Sequence, residues 1–120
     1  MGEGTAPVSL SAGRLPVDPE VQRFLDECLG PIRTAFAPEG LFIFGSRASG
    51  TPDEWSDIDI LLVSGRFAGR RAMDRLRTFR DLIEPHRHVD VVCVTPEEFE
   101  RRREGANLVA EAVRTGIRIL

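Results

Sequence analysis

The sequence of 120 residues lacks any long apolar run. Its longest apolar segments, at residues 41–44 and 60–63, are about four residues long, whereas a helix that crosses a bilayer needs about 20. The first 17 residues hold no apolar stretch of the length that a secretory signal requires. We therefore expect no membrane span, a flexible tail over residues 1–17, and one domain over residues 18–120.

The chain also lacks lysine and an excess of positive charge. Sixteen basic residues, all arginine, stand against 19 acidic residues and give a net charge of −3. This balance argues against a general attraction to nucleic acid or to a membrane surface. Cysteine is scarce, and Cys28 and Cys93 lie far apart in apolar patterns, which favours free buried thiols over a disulfide. We expect a protein of the reducing cytoplasm.

Apolar periodicity predicts an α/β fold, a small mixed β-sheet of three to four strands with helices packed on it. Asp18 and Pro19 are typical of a helix start, and Gly30-Pro31 predicts a break or kink before that helix ends at residue 36. Strands are predicted at residues 41–44, 58–63 and 88–94, with an optional last strand at 117–120. Further helices are predicted at residues 69–84, after Thr95, and at 106–114.

A candidate phosphate-binding turn follows the first strand. Gly45 permits close approach to the backbone, Ser46 supplies a hydroxyl, and Arg47 supplies a guanidinium suited to phosphate oxygens. The short helix expected after Ser46 would point its N-terminal N–H groups at an anion. The alternative for Arg47 is a solvated helix residue.

Three aspartates lie in or directly before two predicted strands that are otherwise apolar. Asp57 and Asp59 are two residues apart and should share one face of a strand, and Asp90 repeats the pattern on the next strand. If these strands are neighbours, the three carboxylates converge and repel one another. A hard cation such as Mg²⁺, which prefers oxygen ligands, would compensate that repulsion. Two alternatives stay open: Asp57 as a cap before the strand, and Asp90 as the ion-pair partner of Arg87.

Other polar features have simpler explanations. His86 and His88 imitate a metal-ligand cluster with Asp90, but a position in a loop or behind the ligands is favoured. Trp55 could stack on a base, although packing within its loop is favoured. The arginines at 101–103 lie among glutamates, which indicates ion pairing on a solvated helix face.

Together, GSRASG at residues 45–50, SDID at 56–59 and the later Asp90 resemble the DNA polymerase β-like nucleotidyltransferase superfamily. Within it, they are similar to the minimal nucleotidyltransferases of the MntA-like antitoxin type, whose pattern is GSRARG followed by SDIDLLV. The TPEE segment and the GIRIL ending are also similar to this family. Ser49 stands where the family has arginine, which removes one cationic donor near the phosphates.

The resemblance implies a polymerase β-like fold and transfer of a nucleoside monophosphate, AMP from ATP being expected, to an acceptor hydroxyl. It implies that Gly45 and Ser46 hold the β and γ phosphates, with Arg47 beside them. Asp57 and Asp59 would bridge two Mg²⁺ ions, with Mn²⁺ as a substitute, and Asp90 would hold the metal on the acceptor side.

The resemblance also implies a partner. With no acceptor-binding domain expected in 120 residues, the acceptor should be a separate helical protein of the HEPN type, a toxin that such an antitoxin silences by attaching AMP to a tyrosine. The competing hypothesis is a catalytically weak or inactive module that neutralises its partner by binding. Retention of Asp57, Asp59 and Asp90 argues against that module, and the net charge argues against a polymerase fragment.

Overall fold

The computed structural model describes residues 18–50, 56–84, 86 and 88–120. The predicted tail at residues 1–17 lies outside the described residues, as do Trp55 and Arg87. The helices and strands, in chain order, are α1 (Pro19–Phe36), β1 (Gly40–Phe44), α2 (Ser46–Ser49), β2 (Ile58–Val63), α3 (Ala72–Leu82), β3 (Val89–Val94), α4 (Pro96–Arg102), α5 (Leu108–Thr115) and β4 (Ile117–Arg118).

Helix α1 begins where its cap predicts. The Asp18 carboxylate accepts hydrogen bonds from the backbone N–H groups of Glu20 and Val21, at 2.8 and 3.3 Å. The predicted break at Gly30-Pro31 is absent, because α1 continues through Pro31 to Phe36. Pro31 is exposed, so the carbonyl that loses its helical partner there can face water. Core packing holds both flanks of the proline, and the buried stripe of α1 comprises Val21, Phe24, Leu25, Cys28, Leu29, Ile32 and Phe36.

The four strands form one mixed sheet in the order β3-β2-β1-β4. Strand β1 runs antiparallel to both β2 and β4, whereas β2 and β3 are parallel and are connected through α3. The parallel pair needs such a crossover because two parallel strands cannot be joined by a tight turn. The predicted small mixed sheet and the optional fourth strand are both confirmed.

Helices cover both faces of the sheet. On one face, α1 and α3 pack against alternate residues of the central strands, among them Ile58, Ile60 and Leu62. On the other face, α4 and α5 pack on a second apolar cluster formed by Phe42, Phe44, Leu61, Val63, Val94, Phe99, Val109 and Ala112. Because side chains alternate along a strand, Asp59 projects to this second face, beside Leu61.

An ion pair closes the far end of β3. The buried Arg75 of α3 donates through Nη1 to Glu98 Oε1 of α4 at 2.7 Å and to the Cys93 carbonyl at 3.1 Å. Glu98 also completes the predicted capping box with Thr95. Its hydrogen bond from Arg75 is the main reason why the pKa of Glu98 falls to about 2. This network joins α3, β3 and α4.

Candidate active site

Two aspartates lie side by side on the parallel strands. Asp59 of β2 is in register with Asp90 of β3, and the neighbouring residue of β1 is Phe44. Strands in a sheet are about 4.8 Å apart, and residues in register on parallel strands point to the same face. Asp57 lies one residue before β2 and is two residues from Asp59. The sheet therefore places two of the three carboxylates that the sequence singled out side by side, with the third directly before β2.

The electrostatics of these carboxylates show repulsion. Burial, then the charges of Asp90, Asp57 and Glu111, raise the pKa of Asp59 above its usual value. Burial and a hydrogen bond with Asp57 raise the pKa of Asp90, against a smaller lowering by Arg80. Because neighbouring carboxylates contribute to the raised pKa values of Asp59 and Asp90, a cation bound beside them would offset part of the repulsion.

The donor chemistry of this group fits a divalent metal. Among the described residues, no three carboxylate, imidazole or thiol side chains lie close enough together to share one ion. The side chains of Asp57 and Asp90 are 42% and 62% exposed, so they can rotate without disturbing the core. Carboxylate oxygens are the ligands that Mg²⁺ prefers. Metal binding by Asp57, Asp59 and Asp90 stays a prediction.

The turn at Gly45 lies against the same carboxylates. Gly45 has a φ of +78°, and a Cβ atom there would clash with Asp59 Oδ2. Both the backbone conformation and the space therefore require glycine. The predicted short helix is present as α2, whose Ala48 and Ser49 N–H groups donate to the Gly45 carbonyl. Ser46, at the start of α2, is half-buried. Phosphate binding by Gly45 and Ser46 stays a prediction.

Arg47 makes structural contacts rather than lying on a solvated helix face. Its Nη1 donates to both oxygens of Asp18, at 2.9 and 2.7 Å, and its Nε donates to the Ser56 carbonyl at 2.8 Å. The side chains of Arg47 and Asp18 are only 10% and 6% exposed. These contacts tie α2 to the cap of α1 and to the residue before Asp57. Its predicted contact with a nucleotide stays a prediction.

The two histidines have different positions. His86 contacts Glu27 Oε1 through Nε2 at 2.7 Å and packs edge-on against Phe24. Both partners belong to α1, so His86 packs against that helix. His88 is 81% exposed, and its Nδ1 is 3.5 Å from Asp57 Oδ1. His88 therefore borders the acidic group, as its spacing from Asp90 predicts.

Sequence reasoning missed three charged residues near the site. Arg80 Nη2 is 3.8 Å from Asp90 Oδ1. Asp90 therefore has an arginine of α3 near it, whereas the sequence suggested Arg87 as its ion-pair partner. Glu111 of α5 adds negative charge near Asp59. Asp18 was recognised only as a helix cap. Residues from distant segments carry no local spacing signal, so only the fold could reveal them.

The arginines at 101–103 fit the predicted solvated face. Arg103 Nη1 contacts Glu100 Oε2 at 3.3 Å, and its guanidinium lies over the Phe99 ring. Arg101 and Arg102 are exposed.

The cysteines Cys28 and Cys93 are both free, and burial raises the pKa of Cys93 to about 12. Within the described part of the chain, no helix combines the length and apolar character needed to cross a membrane.

Comparisons with known proteins indicate the class of this protein. A protein of Methanocaldococcus jannaschii with the provisional name protein adenylyltransferase is 34% identical over 65 residues, which are 52% of this chain and 44% of that protein. The chain thus matches less than half the length of that relative. A crystal structure of a provisionally named nucleotidyltransferase from Sulfolobus solfataricus aligns with a TM-score of 0.50 and 27% identity, covering 82% of this chain and 99% of the other.

The structural alignment supports the predicted polymerase β-like nucleotidyltransferase fold. The family model described as "nucleotidyltransferase domain" matches residues 25–113, which include Gly45, Ser46 and all three aspartates. A match over this much of the chain confirms the nucleotidyltransferase class that the GSRASG and SDID motifs predict. The chain belongs to the nucleotidyltransferase domain family.

Proposed function

We propose that this protein transfers a nucleoside monophosphate, AMP from ATP, to an acceptor hydroxyl with pyrophosphate as the leaving group. The observation that carries the proposal is the register of Asp59 with Asp90, with Asp57 just before β2 and the Gly45 turn against Asp59. Phosphoryl transfer needs a site that binds a triphosphate and concentrates positive charge around it. A glycine turn leaves room for the phosphates, and a group of carboxylates beside it can bind the cations that supply the positive charge.

The nucleotide-binding side of the site comprises Gly45 and Ser46. Since Gly45 carries no side chain, a phosphate can approach its backbone beside Asp59. Ser46 contributes its backbone N–H and hydroxyl as donors to the β and γ phosphates. Arg47, the third residue proposed to bind the nucleotide, donates to Ser56 and Asp18 and so also supports this turn. The serine at position 49 leaves the turn with one cationic donor fewer than the family pattern.

Asp57, Asp59 and Asp90 would hold the divalent metal, Mg²⁺ or Mn²⁺ in its place. When bound, such ions neutralise phosphate charge and stabilise the attacking and leaving oxygens. Asp59, whose pKa is raised by burial and by its acidic neighbours, loses its proton more readily when a cation offsets that repulsion. The half-exposed positions of Asp57 and Asp90 leave both carboxylates open to ligands from solvent.

Asp90 lies on the acceptor side in this proposal. It orients the acceptor hydroxyl and accepts its proton while the new bond to the α phosphorus forms and the bond to pyrophosphate breaks. A carboxylate within reach of the hydroxyl is a suitable proton acceptor for this step. Because β3 is at the edge of the sheet and Asp90 is 62% exposed, a large acceptor can reach it.

The acceptor in this proposal is a protein side-chain hydroxyl, that of a tyrosine in a separate helical protein of the HEPN type. Support comes from the name of the M. jannaschii relative, protein adenylyltransferase, and from the family resemblance of the motifs. In this proposal the transfer silences the partner, which makes the chain an antitoxin of the cytoplasm.

The test is transfer of label from α-³²P-ATP, with Mg²⁺, to the proteins of a lysate of the source organism. Wild type is compared with Asp59→Asn and with the control Asp26→Asn, which makes the same chemical change at an exposed position of α1, on the opposite face of the sheet. We expect labelling with wild type and with the control, and a loss of at least about 100-fold with Asp59→Asn.

Equal labelling by wild type and Asp59→Asn would exclude the proposed site. Absence of labelling with each of the four nucleotides would leave the binding module as the better hypothesis. A labelled protein would be identified by mass spectrometry, which also shows whether tyrosine carries the nucleotide and how many units are attached.

A further inference from the structure

Asp18 does more than cap α1. It lies before residue 25, where the match to the family model begins. Its carboxylate is shared between two tasks: it accepts from the Glu20 and Val21 N–H groups, and it forms a buried ion pair with Arg47. A helix cap alone requires no arginine, since asparagine and serine cap as well as aspartate does. The ion pair is therefore a separate feature that needs its own explanation.

Arg47 connects this ion pair to both halves of the site. One planar guanidinium donates through Nη1 to Asp18 and through Nε to the Ser56 carbonyl. Arg47 itself follows Ser46 directly, and Ser56 precedes Asp57 directly. Because the nitrogens of a guanidinium are held in a fixed fork, the contacts set the separation between the Ser46 backbone and the Asp57 backbone. An arginine held only at one end would not fix it.

We propose that Asp18 is a positioning residue for the nucleotide and metal site, acting through Arg47. By holding the guanidinium, Asp18 keeps the Gly45-Ser46 turn and the backbone before Asp57 in one arrangement. Displacement of a reacting group by about 1 Å can cost about 100-fold in rate, so such support matters to catalysis. This inference rests on the proposed function, since it assumes that these two segments bind nucleotide and metal.

The fold supplies a matched comparison for the test. Asp18→Asn keeps an oxygen for the cap of α1 but removes the charge that faces Arg47. Glu98→Gln makes the same kind of change at the far end of β3: it keeps an oxygen for the Thr95 N–H but removes the charge that faces the buried Arg75. Both variants lose a buried ion pair, and only Asp18→Asn loses one that is connected to the site.

The first measurement is amide hydrogen exchange of the full chain by NMR. The reporters are the hydrogen-bonded amides of Ala48, Ser49 and Ile58, which lie in the two segments that Arg47 connects. We expect Asp18→Asn to speed exchange at these amides by at least about tenfold beyond the change that its loss of global stability causes, and Glu98→Gln to cause no change beyond that global one. Equal exchange in the two variants would overturn the proposal.

The second measurement is calorimetric binding of α,β-methylene-ATP with Mg²⁺, an analogue that cannot release pyrophosphate. We expect Asp18→Asn to weaken binding about 10- to 100-fold and Glu98→Gln to leave it unchanged. Arg47→Lys keeps a charge near Asp18 but cannot reach both partners, so it should weaken binding as well, and it serves if Asp18→Asn fails to fold. If Asp18→Asn and Arg47→Lys both bind the analogue as tightly as wild type does, the positioning role is wrong.

The two proposals fail in different ways. If wild type neither binds the analogue nor transfers label, the proposed function is wrong, whatever Asp18 does to exchange. If wild type binds and transfers, while Asp18→Asn behaves like Glu98→Gln, the function stands and the positioning role is wrong.

Discussion

The carboxylates near the two ends of β3 have opposite electrostatic surroundings. At its start, Asp90 lies beside Asp59 and near Asp57, and among the described residues its ion-pair partner is the half-exposed Arg80 at 3.8 Å. Beyond its end, Glu98 is held by the buried Arg75 at 2.7 Å and caps its own helix. The pKa values of Asp59 and Asp90 are raised, whereas that of Glu98 is lowered to about 2.

This difference separates an acid that stabilises the fold from acids that repel one another. Glu98 has its charge, its hydrogen bonds and its cap satisfied within the chain. Asp59 and its neighbours repel one another, and the described residues give them little compensating charge. Uncompensated charge next to a core is costly, so its presence among the described residues at the start of β3 makes this end the candidate functional one.

The largest expected effect is on transfer, at the start of β3. Asp90→Asn should lower the rate of AMP transfer by about 100- to 1,000-fold, because an amide can neither accept the hydroxyl proton nor neutralise a cation. Its melting temperature should not fall. Rates of label transfer to the identified acceptor, with circular dichroism on the same samples, test this. A variant that keeps wild-type rates would remove Asp90 from the mechanism.

The next effect is on stability, at the far end of β3. Glu98→Gln should lower the free energy of unfolding by about 2–3 kcal/mol, because Arg75 would stay buried without its charge partner. The pKa of Glu98 lies below its unfolded value, so its contribution is complete above pH 4.5 and is lost as pH falls toward 2.

Urea unfolding at several pH values measures both expectations for Glu98. Wild type should lose stability faster than Glu98→Gln between pH 4.5 and 2. Transfer activity of the variant at neutral pH should equal that of wild type. Parallel pH curves for the two proteins would show that this ion pair contributes little.

A smaller effect should follow from metal addition. Mg²⁺ at ten times its dissociation constant should stabilise wild type by about 1.4 kcal/mol, since only the folded state holds the aspartates together. Asp59→Asn should lose most of this gain, and Glu98→Gln should keep it. Thermal unfolding over a series of Mg²⁺ concentrations gives the comparison. Equal gains in all three proteins would point to binding elsewhere.

The smallest effect is the relief of repulsion without metal. In metal-free buffer at pH 7, Asp59→Asn should stabilise the fold by less than about 1 kcal/mol. A raised folded pKa means that the native state holds its proton more tightly than the unfolded chain. The penalty is therefore absent below the unfolded pKa near 3.8 and grows as pH rises through the folded pKa. The stabilisation should vanish when unfolding is measured in acid, and destabilisation at pH 7 would contradict this account.

Local signals predicted much of the architecture. The caps at Asp18 and Thr95 start α1 and α4 as expected, and the apolar runs at residues 41–44 and 58–63 lie in β1 and β2. These features depend on neighbours within a few residues, which a sequence displays directly. Of the break or kink predicted at Gly30-Pro31, the break is absent, because packing of Leu29 and Ile32 in the core outweighs one missing hydrogen bond.

Pairings between distant residues had no such signal. Arg75 with Glu98 and Arg47 with Asp18 join residues 23 and 29 positions apart. Any of the 16 arginines could have served equally well on spacing alone. The same limit applies to Glu111, which reaches the neighbourhood of Asp59 only because α5 packs on the second face of the sheet.

The sequence by itself determined the family of this protein and its candidate groups: the GSRASG and SDID motifs, with Asp90, predict the nucleotidyltransferase class and the carboxylates of the candidate site. Only the tertiary structure decided how that chemistry is arranged. The parallel pairing of β2 and β3 sets Asp59 beside Asp90, and the fold assigns Arg47 to Asp18 and Arg75 to Glu98. The physical reason is that composition and spacing fix which groups exist, whereas repulsion and ion pairing depend on distances that arise only when the strands and helices pack.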